Sequence, residues 1–326
     1  MRDDDIVDVG VIGVGSMGQH HARVYGQLSN VNLVGVADAS QDRATEIARK
    51  HGVRALPQDE LLEAVDAVSI AVPTDYHVDI AEACLDQGVN MLIEKPIATD
   101  PEAARALQSK VAYSDVIVQV GHIERFNPAV QQLAEILQDV SILSIRAHRL
   151  GPQPDRYIND SAVFDLMIHD LDIVQWLLGE SPVAVHGVGV DENRHASAML
   201  EFRSGAMASL TASRKTQRRV RTLEIIADEC YIELDYQDQS IEIHRDSVPE
   251  YVESNGDVRF VHESIVERPR IETEEPLRCE LAAFVDAVEK HRTPEVTLED
   301  GIDALELVAD IEQRALREPA RVIGDD

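Results

Sequence analysis

The stretch Phe164–Asp172, FDLMIHDLD, carries carboxylates and an imidazole at spacings that suit chemistry. At about 3.6 residues per turn, a helix sets Asp165, His169 and Asp172 along one stripe and turns Asp170 away from it. The neighbours Val163, Phe164, Leu166, Met167, Ile168 and Leu171 are apolar, so a largely buried helix is expected. Buried ionisable groups cost several kcal/mol, roughly, unless they are paired or used. Two readings are open. One is a satisfied Asp–His pair with a structural task. The other is proton transfer, with His169, whose ordinary pKa of about 6.5 suits exchange near neutrality, as the proton acceptor. Asp172, one turn on, reads as structural.

A second group of residues points to a dinucleotide. GVGSMG places Gly13, Gly15 and Gly18 at the G-x-G-x-x-G spacing, after a strand-like run and before a helical one, with Ser16 and Met17 inside the loop. Gly13 permits the tight turn, Gly15 lets a pyrophosphate approach the backbone, and Gly18 allows close helix–strand packing. The helix start offers its free N–H groups to phosphate. Asp38 ends the next strand-like run 20 residues after Gly18. Its carboxylate accepts from a ribose diol and repels a 2′-phosphate, which favours NAD over NADP. In AVPTDYH, Pro73, Thr74 and His77 follow a strand and line the crevice at its carboxyl end, although His77 reads equally well as a water-facing helix start. Glu94 and Lys95 of EKPIA follow the next strand at the same edge. Lys95 is one of five lysines, with Lys50, Lys110, Lys215 and Lys290. A cation in that place suits a reacting hydroxyl or carbonyl. Pro96 is a candidate for a cis bond.

Two further clusters keep alternative readings. Glu124, Arg125 and Asn127 of GHIERFNP either reach substrate or join the domains through polar contacts. SRKTQRRVR gathers Arg214, Lys215, Arg218, Arg219 and Arg221, which can fork onto a diphosphate. Pairing with acids across an oligomer interface, or a simple basic loop, is the favoured reading of that cluster.

The elements that must hold these residues follow from hydrophobic patterning. The first 120 or so residues alternate short, continuous apolar runs with helical stretches, which predicts a doubly wound parallel sheet covered on both faces. From about 183 to 260, strand follows strand without helices, which predicts an α+β domain with a large, mostly antiparallel open sheet. The expected division is a Rossmann dinucleotide-binding domain at 1–122 and a substrate-binding and oligomerisation domain at 123–326, with the C-terminal helix packing back on the first.

The chain has 326 residues, 44% of them hydrophobic, ample for two cores. It lacks an apolar run of 18 residues and the features of a signal peptide, so a cytoplasmic protein without a membrane partner is expected. The cysteines Cys84, Cys230 and Cys279 are far apart and suggest neither disulfides nor zinc. The His and acidic residues near the motifs lack zinc-like spacing, so no metal is expected. Sixty acidic residues stand against 30 basic ones, a net charge of −30. Spread along the chain, this charge reads as the solvated surface of a halophile and speaks against nucleic acid as a partner.

With GVGSMG, AVPTDYH, EKP and DLMIHDLD in order, the chain resembles the glucose–fructose oxidoreductase/inositol dehydrogenase (Gfo/Idh/MocA) family over essentially its whole length. The resemblance implies a Rossmann domain followed by an α/β domain whose open sheet lies over the cofactor and often forms an oligomer interface, here of a homodimer or homotetramer. It implies a catalytic Lys95 from E-K-P, and Asp165 and His169 from D-x-x-x-H, with hydride passing between a sugar hydroxyl and NAD. Either Lys95 or His169 moves the proton, and Asp165 orients His169 or donates to a neighbouring hydroxyl. Many members carry Gly-Gly just before that Asp, whereas this chain reads NDSAVFD. Within the family, GHIERFNPAV, RLGP with Arg156 beyond it, and DLMIHDLD are most similar to UDP-N-acetylglucosamine 3-dehydrogenases. That implies a nucleotide-sugar substrate touched by Lys95, Glu124, Arg125, Asn127, Arg156, Asp165 and His169. The alternatives are oxidation of a free polyol or sugar such as inositol, and a non-catalytic NAD-sensing regulator.

Overall fold

The computed structural model describes residues 6–138, 140–153, 161–246, 250–254, 257–261 and 263–316. In chain order the first part runs β1 (Val7–Ile12), α1 (Gly18–Tyr25), β2 (Val31–Ala37), α2 (Gln41–His51), β3 (Arg54–Ala55), α3 (Gln58–Leu62), β4 (Ala67–Ile70), α4 (His77–Gln87), β5 (Asn90–Glu94), α5 (Pro101–Val111) and β6 (Val118–Gly121). Then come α6 (Pro128–Ile136), β7 (Ile142–Pro152), α7 (Ile168–Leu178), β8 (Ala184–Val190), β9 (His195–Glu201), β10 (Met207–Ser213), β11 (Lys215–Ala227), β12 (Tyr231–Asp235) and β13 (Ser240–Asp246). Last are β14 (Glu250–Ser254), β15 (Asp257–Val261), β16 (Ser264–Glu267), α8 (Pro276–Glu289) and α9 (Leu298–Leu316). No helix among the described residues is long and apolar enough to cross a membrane.

The chain divides into two compact units. One is Met1–Phe126 with Glu274–Glu306, the other Asn127–Thr273 with Leu307–Asp326. A single cut at 122/123 therefore does not describe the division, because a C-terminal segment completes the first unit. The physical reason lies in α8. Its residues Leu277, Leu281, Phe284, Val285 and Val288 share one core with Val9 of β1 and with Val24 and Tyr25 of α1.

The first unit is built on a parallel sheet in the order β3-β2-β1-β4-β5-β6. Strand β4 is buried along its whole length and β1 nearly so, as apolar runs covered on both faces require. Local signals set the helices. Ser40 accepts from the Arg43 N–H to cap α2, and Asp100 accepts from Ala103 to cap α5, whose first residue is Pro101. The strand order reverses between β1 and β4, which puts a ligand crevice beyond their carboxyl ends.

The second unit holds a sheet in the order β16-β13-β12-β11-β7-β10-β9-β8. It is antiparallel except where β10 runs parallel to β7. That exception arises because the chain leaves β7 through α7 before β8, β9 and β10 are laid down outward-in. Alternation then decides the faces. Ile145, Ala147 and Arg149 of β7 point to the buried side, with Leu210 of β10 and Leu223 of β11, and α7 packs there. Cys84 and Cys230 are small buried residues, as composition suggested, and burial pushes the Cys84 thiol up to about 12.

Candidate active site

The nucleotide end lies wholly in the first unit. Gly13 has φ +85°, and a Cβ there would meet Val72 Cγ1 at 2.6 Å. At Gly18 a Cβ would overlap the Gly13 carbonyl oxygen, so the loop closes only with glycine in both places. Gly15 is different, since a Cβ there would meet nothing within 4 Å. The backbone at Gly15 thus faces open space, as close approach of a pyrophosphate demands. Helix α1 starts at Gly18, without a side-chain cap from Met17. Within this first turn Gln19 N donates to the Gly15 carbonyl, and His20 N and His21 N to the Met17 carbonyl, so what the helix start offers phosphate is the positive end of its dipole. Asp38 follows β2 and staples the loop. Its Oδ2 accepts from Val14 N at 2.9 Å and its Oδ1 from Ser40 N at 2.8 Å. A carboxylate has about four lone-pair sites, so these bonds leave capacity for a ribose diol. Arg43 stands 3.4 Å from the same carboxylate. The residues present fit NAD.

At the carboxyl end of β5, Lys95 precedes a cis bond to Pro96. His77 is buried, not water-facing. Its Nδ1 lies 2.9 Å from the Pro96 carbonyl and its Nε2 3.0 Å from the Val72 carbonyl. The ring therefore ties the Pro73–Thr74 turn to the Lys95–Pro96 turn. Two carbonyls ask for two N–H donors and so for the charged ring, but burial outweighs them and lowers the His77 pKa. Glu94 lies beside this staple. Burial raises its pKa, yet the hydrogen bond from His21 Nε2 at 2.9 Å, the His21 charge and Lys95 hold it below the usual carboxylate range. Behind it lies Glu280 of α8, fully buried, and Gln119 donates to the Glu280 backbone carbonyl. Motif reading missed Glu280. The available signal was its place in the apolar stripe Leu277, Leu281, Phe284.

Glu124, Arg125 and Asn127 of GHIERFNP are buried. Arg125 pairs with Asp300 at 3.5 Å, within the first unit. Asn127 caps α6 by accepting from Ala129 N at 3.1 Å and donates to the Tyr236 carbonyl at 3.0 Å. Both ends of its amide are thereby committed to the fold. Glu124 is buried in the short turn before α6. Arg156 lies outside the described residues.

In the second unit the opening helix is not a straight α-helix. Val163–Met167 forms a π turn and α7 begins at Ile168. The widened turn, of the i→i+5 kind often found at functional sites, resets the register of the expected stripe. Asp165 and His169 are half-buried, while Asp172 is buried. Asp170, expected to turn away, points inward to Arg149, whose Nη2 and Nε donate to its two oxygens at 2.7 and 3.0 Å. The guanidinium also lies 5.0 Å from the Tyr236 ring centroid. Arg149 has the same parity as Ile145 and Ala147, so an arginine on the buried face of β7 already signalled a buried carboxylate partner. Asp165 accepts from Arg214, a buried member of the basic cluster. Lys215 of that cluster pairs with Asp191 at 2.5 Å.

A family model described as an oxidoreductase family with an NAD-binding Rossmann fold matches residues 7–122, and one described as the GFO/IDH/MocA C-terminal domain matches residues 139–233. The chain belongs to the Gfo/Idh/MocA family. UDP-N-acetylglucosamine 3-dehydrogenase of Acidithiobacillus ferrooxidans is 35% identical over 288 residues, covering 87% of this chain and 89% of that protein. The solved structure of that organism's UDP-N-acetylglucosamine 3-dehydrogenase GnnA superposes with a TM-score of 0.86 at 32% identity, over 95% of this chain and 99% of that one. Inositol 2-dehydrogenase of Rhizobium meliloti is 32% identical over 228 residues, 64% of this chain and 69% of that protein. This Gfo/Idh/MocA chain is an NAD-binding oxidoreductase.

Proposed function

We propose that the chain is an NAD-dependent dehydrogenase that oxidises the C3 hydroxyl of UDP-N-acetylglucosamine. The observation that supports this reading is the reach of the similarity. Identity to UDP-N-acetylglucosamine 3-dehydrogenase runs through 87% of the chain at 35%. NAD, held by the Gly13–Gly18 loop and Asp38, would supply the hydride acceptor for the sugar carbon. His169 takes the hydroxyl proton. Lys95 stabilises the developing oxyanion electrostatically. Asp165, anchored by Arg214, supports the charge that His169 gains. Asp38 and the Gly13–Gly18 loop hold the dinucleotide. In this reading the chain works as a homodimer or homotetramer, and the exposed Val188, Val190, Met199 and Met207 of the large sheet are available for assembly.

The test follows NADH absorbance in molar potassium chloride with UDP-N-acetylglucosamine, inositol and plain hexoses offered separately. Turnover of the nucleotide-sugar alone is expected. His169→Ala is expected to lose roughly a hundredfold or more in kcat with NAD binding intact. Unchanged turnover in that variant would remove His169 from the mechanism. A second reading, oxidation of a free polyol, is favoured by the 32% identity to inositol 2-dehydrogenase. Signal with inositol and none with the nucleotide-sugar would establish it.

A further inference from the structure

We propose that an arginine-lined cavity in the second unit is a site for a phosphoester anion, and that it takes the diphosphate of a nucleotide-sugar. The choice of diphosphate rests on the nucleotide-sugar reading above; the choice of an anion rests on the cavity alone. The cavity measures about 230 Å³, and its wall includes Arg149, Arg214, Arg219, Arg221, Asp165 and Gly151. Four arginines and one aspartate line this wall, in a chain with twice as many acidic as basic residues. Guanidinium groups fork onto phosphate oxygens, and a concave wall concentrates their field.

The backbone is shaped to gather them. Strands β11 and β7 pair with Val220 opposite Leu150 and Arg221 opposite Arg149, so the two arginines share a face. Like charges directly opposite each other destabilise a sheet. Asp170 offsets Arg149 from inside the fold. Between Lys215 and Val220 the register shifts, because five steps along β11 answer two along β7 from Pro152 to Leu150. Such a bulge re-aims side chains. Here it lays the stem of Arg219 over Gly151, where an added Cβ would meet Arg219 Cγ at 3.7 Å. Arg149 and Arg214 are buried and fixed by carboxylates, whereas Arg219 is exposed at the rim. The site therefore joins a rigid floor to a reaching arm. Asp165 lies in the same wall, which sets the anion next to the carboxylate that the proposed chemistry uses.

The experiment uses the full chain in the lowest salt that keeps its circular dichroism spectrum unchanged. Binding of UDP, inorganic diphosphate, inorganic phosphate and uridine is measured by calorimetry. KM and kcat for UDP-N-acetylglucosamine are measured alongside. Arg219→Ala tests the rim, and Arg218→Ala, an exposed neighbour that does not line the cavity, controls for general charge. A charge-assisted hydrogen bond lost corresponds to roughly a ten- to hundredfold change. The expected result is that Arg219→Ala weakens UDP and diphosphate by that factor and raises KM with kcat within about twofold, while Arg218→Ala does neither and uridine fails to bind. Turnover of the nucleotide-sugar with KM and UDP affinity unmoved in Arg219→Ala would overturn the site and leave the function standing. UDP and diphosphate binding lost in Arg219→Ala, without turnover of the nucleotide-sugar, would uphold the anion site and overturn the substrate. Phosphate binding as tightly as UDP would overturn the diphosphate and leave a simple phosphate site. Absence of UDP and phosphate binding in the unaltered chain would overturn the site outright.

Discussion

Replacing Glu280 by Gln should change how the fold responds to pH. Glu280 is fully buried, and neither of its carboxyl oxygens has a hydrogen-bond partner among the described residues. Burial, and then the charge of Glu94, pushes its pKa well above the ordinary value. The unfolded chain ionises this group near pH 4.3, roughly, whereas the folded chain keeps its proton to higher pH. Between those two values the native state binds one proton more than the unfolded state. Stability therefore falls as pH rises, by up to about 1.4 kcal/mol per pH unit from this group alone. Its contribution is full below the unfolded pKa and is lost as pH climbs through the folded pKa. Gln keeps the shape and removes the proton, so the variant's stability should fall less steeply over that window, by the same slope. Urea unfolding at constant molar potassium chloride, from pH 5 to 9, measures both proteins, and their difference cancels every other titrating group. Equal m-values confirm that the comparison is fair. Parallel stability curves for the two proteins would refute a proton on Glu280.

Phe284→Ala should cost roughly 3–5 kcal/mol, because a fully buried ring of α8 leaves a cavity in the core of β1 and α1; thermal unfolding checks it. Gly18→Ala should abolish NAD binding by calorimetry, since the new methyl overlaps the Gly13 carbonyl oxygen, and unaltered NAD affinity would contradict the loop geometry. Asp170→Asn should destabilise by roughly 3–5 kcal/mol, because Arg149 keeps a buried charge without its carboxylate. The double change Arg149→Met with Asp170→Leu should recover most of that loss, measured by the same denaturation series.

Local signals made much of the molecule legible. Pro101, Asp100, Ser40 and the run Val7–Ile12 each specify an element through contacts within a few residues. The dinucleotide loop was equally legible, because Gly13 and Gly18 answer steric demands inside six residues. The opening helix was less so. A π turn at Val163–Met167 has no pattern of its own, and it altered the register on which the stripe of Asp165, His169 and Asp172 depended. The inward turn of Asp170 depends on Arg149, a partner 21 residues away on another element. His77 shows the same limit, since its two carbonyl partners come from different loops. The parallel pairing of β10 with β7 followed from where α7 leaves the sheet, and strand composition carries no record of that.

The return of α8 to the first unit has a consequence for synthesis. On a ribosome, β1 to β6 emerge early, and the helix that completes their core emerges late. At roughly 5–20 residues per second, the stretch of about 160 residues between β6 and Phe284 takes on the order of ten seconds to make. Over that interval Val9, Val24 and Tyr25 lack the cover that α8 supplies, and the nascent chain presents a sticky surface to chaperones. A fragment ended after β6 is an aggregation-prone expression target.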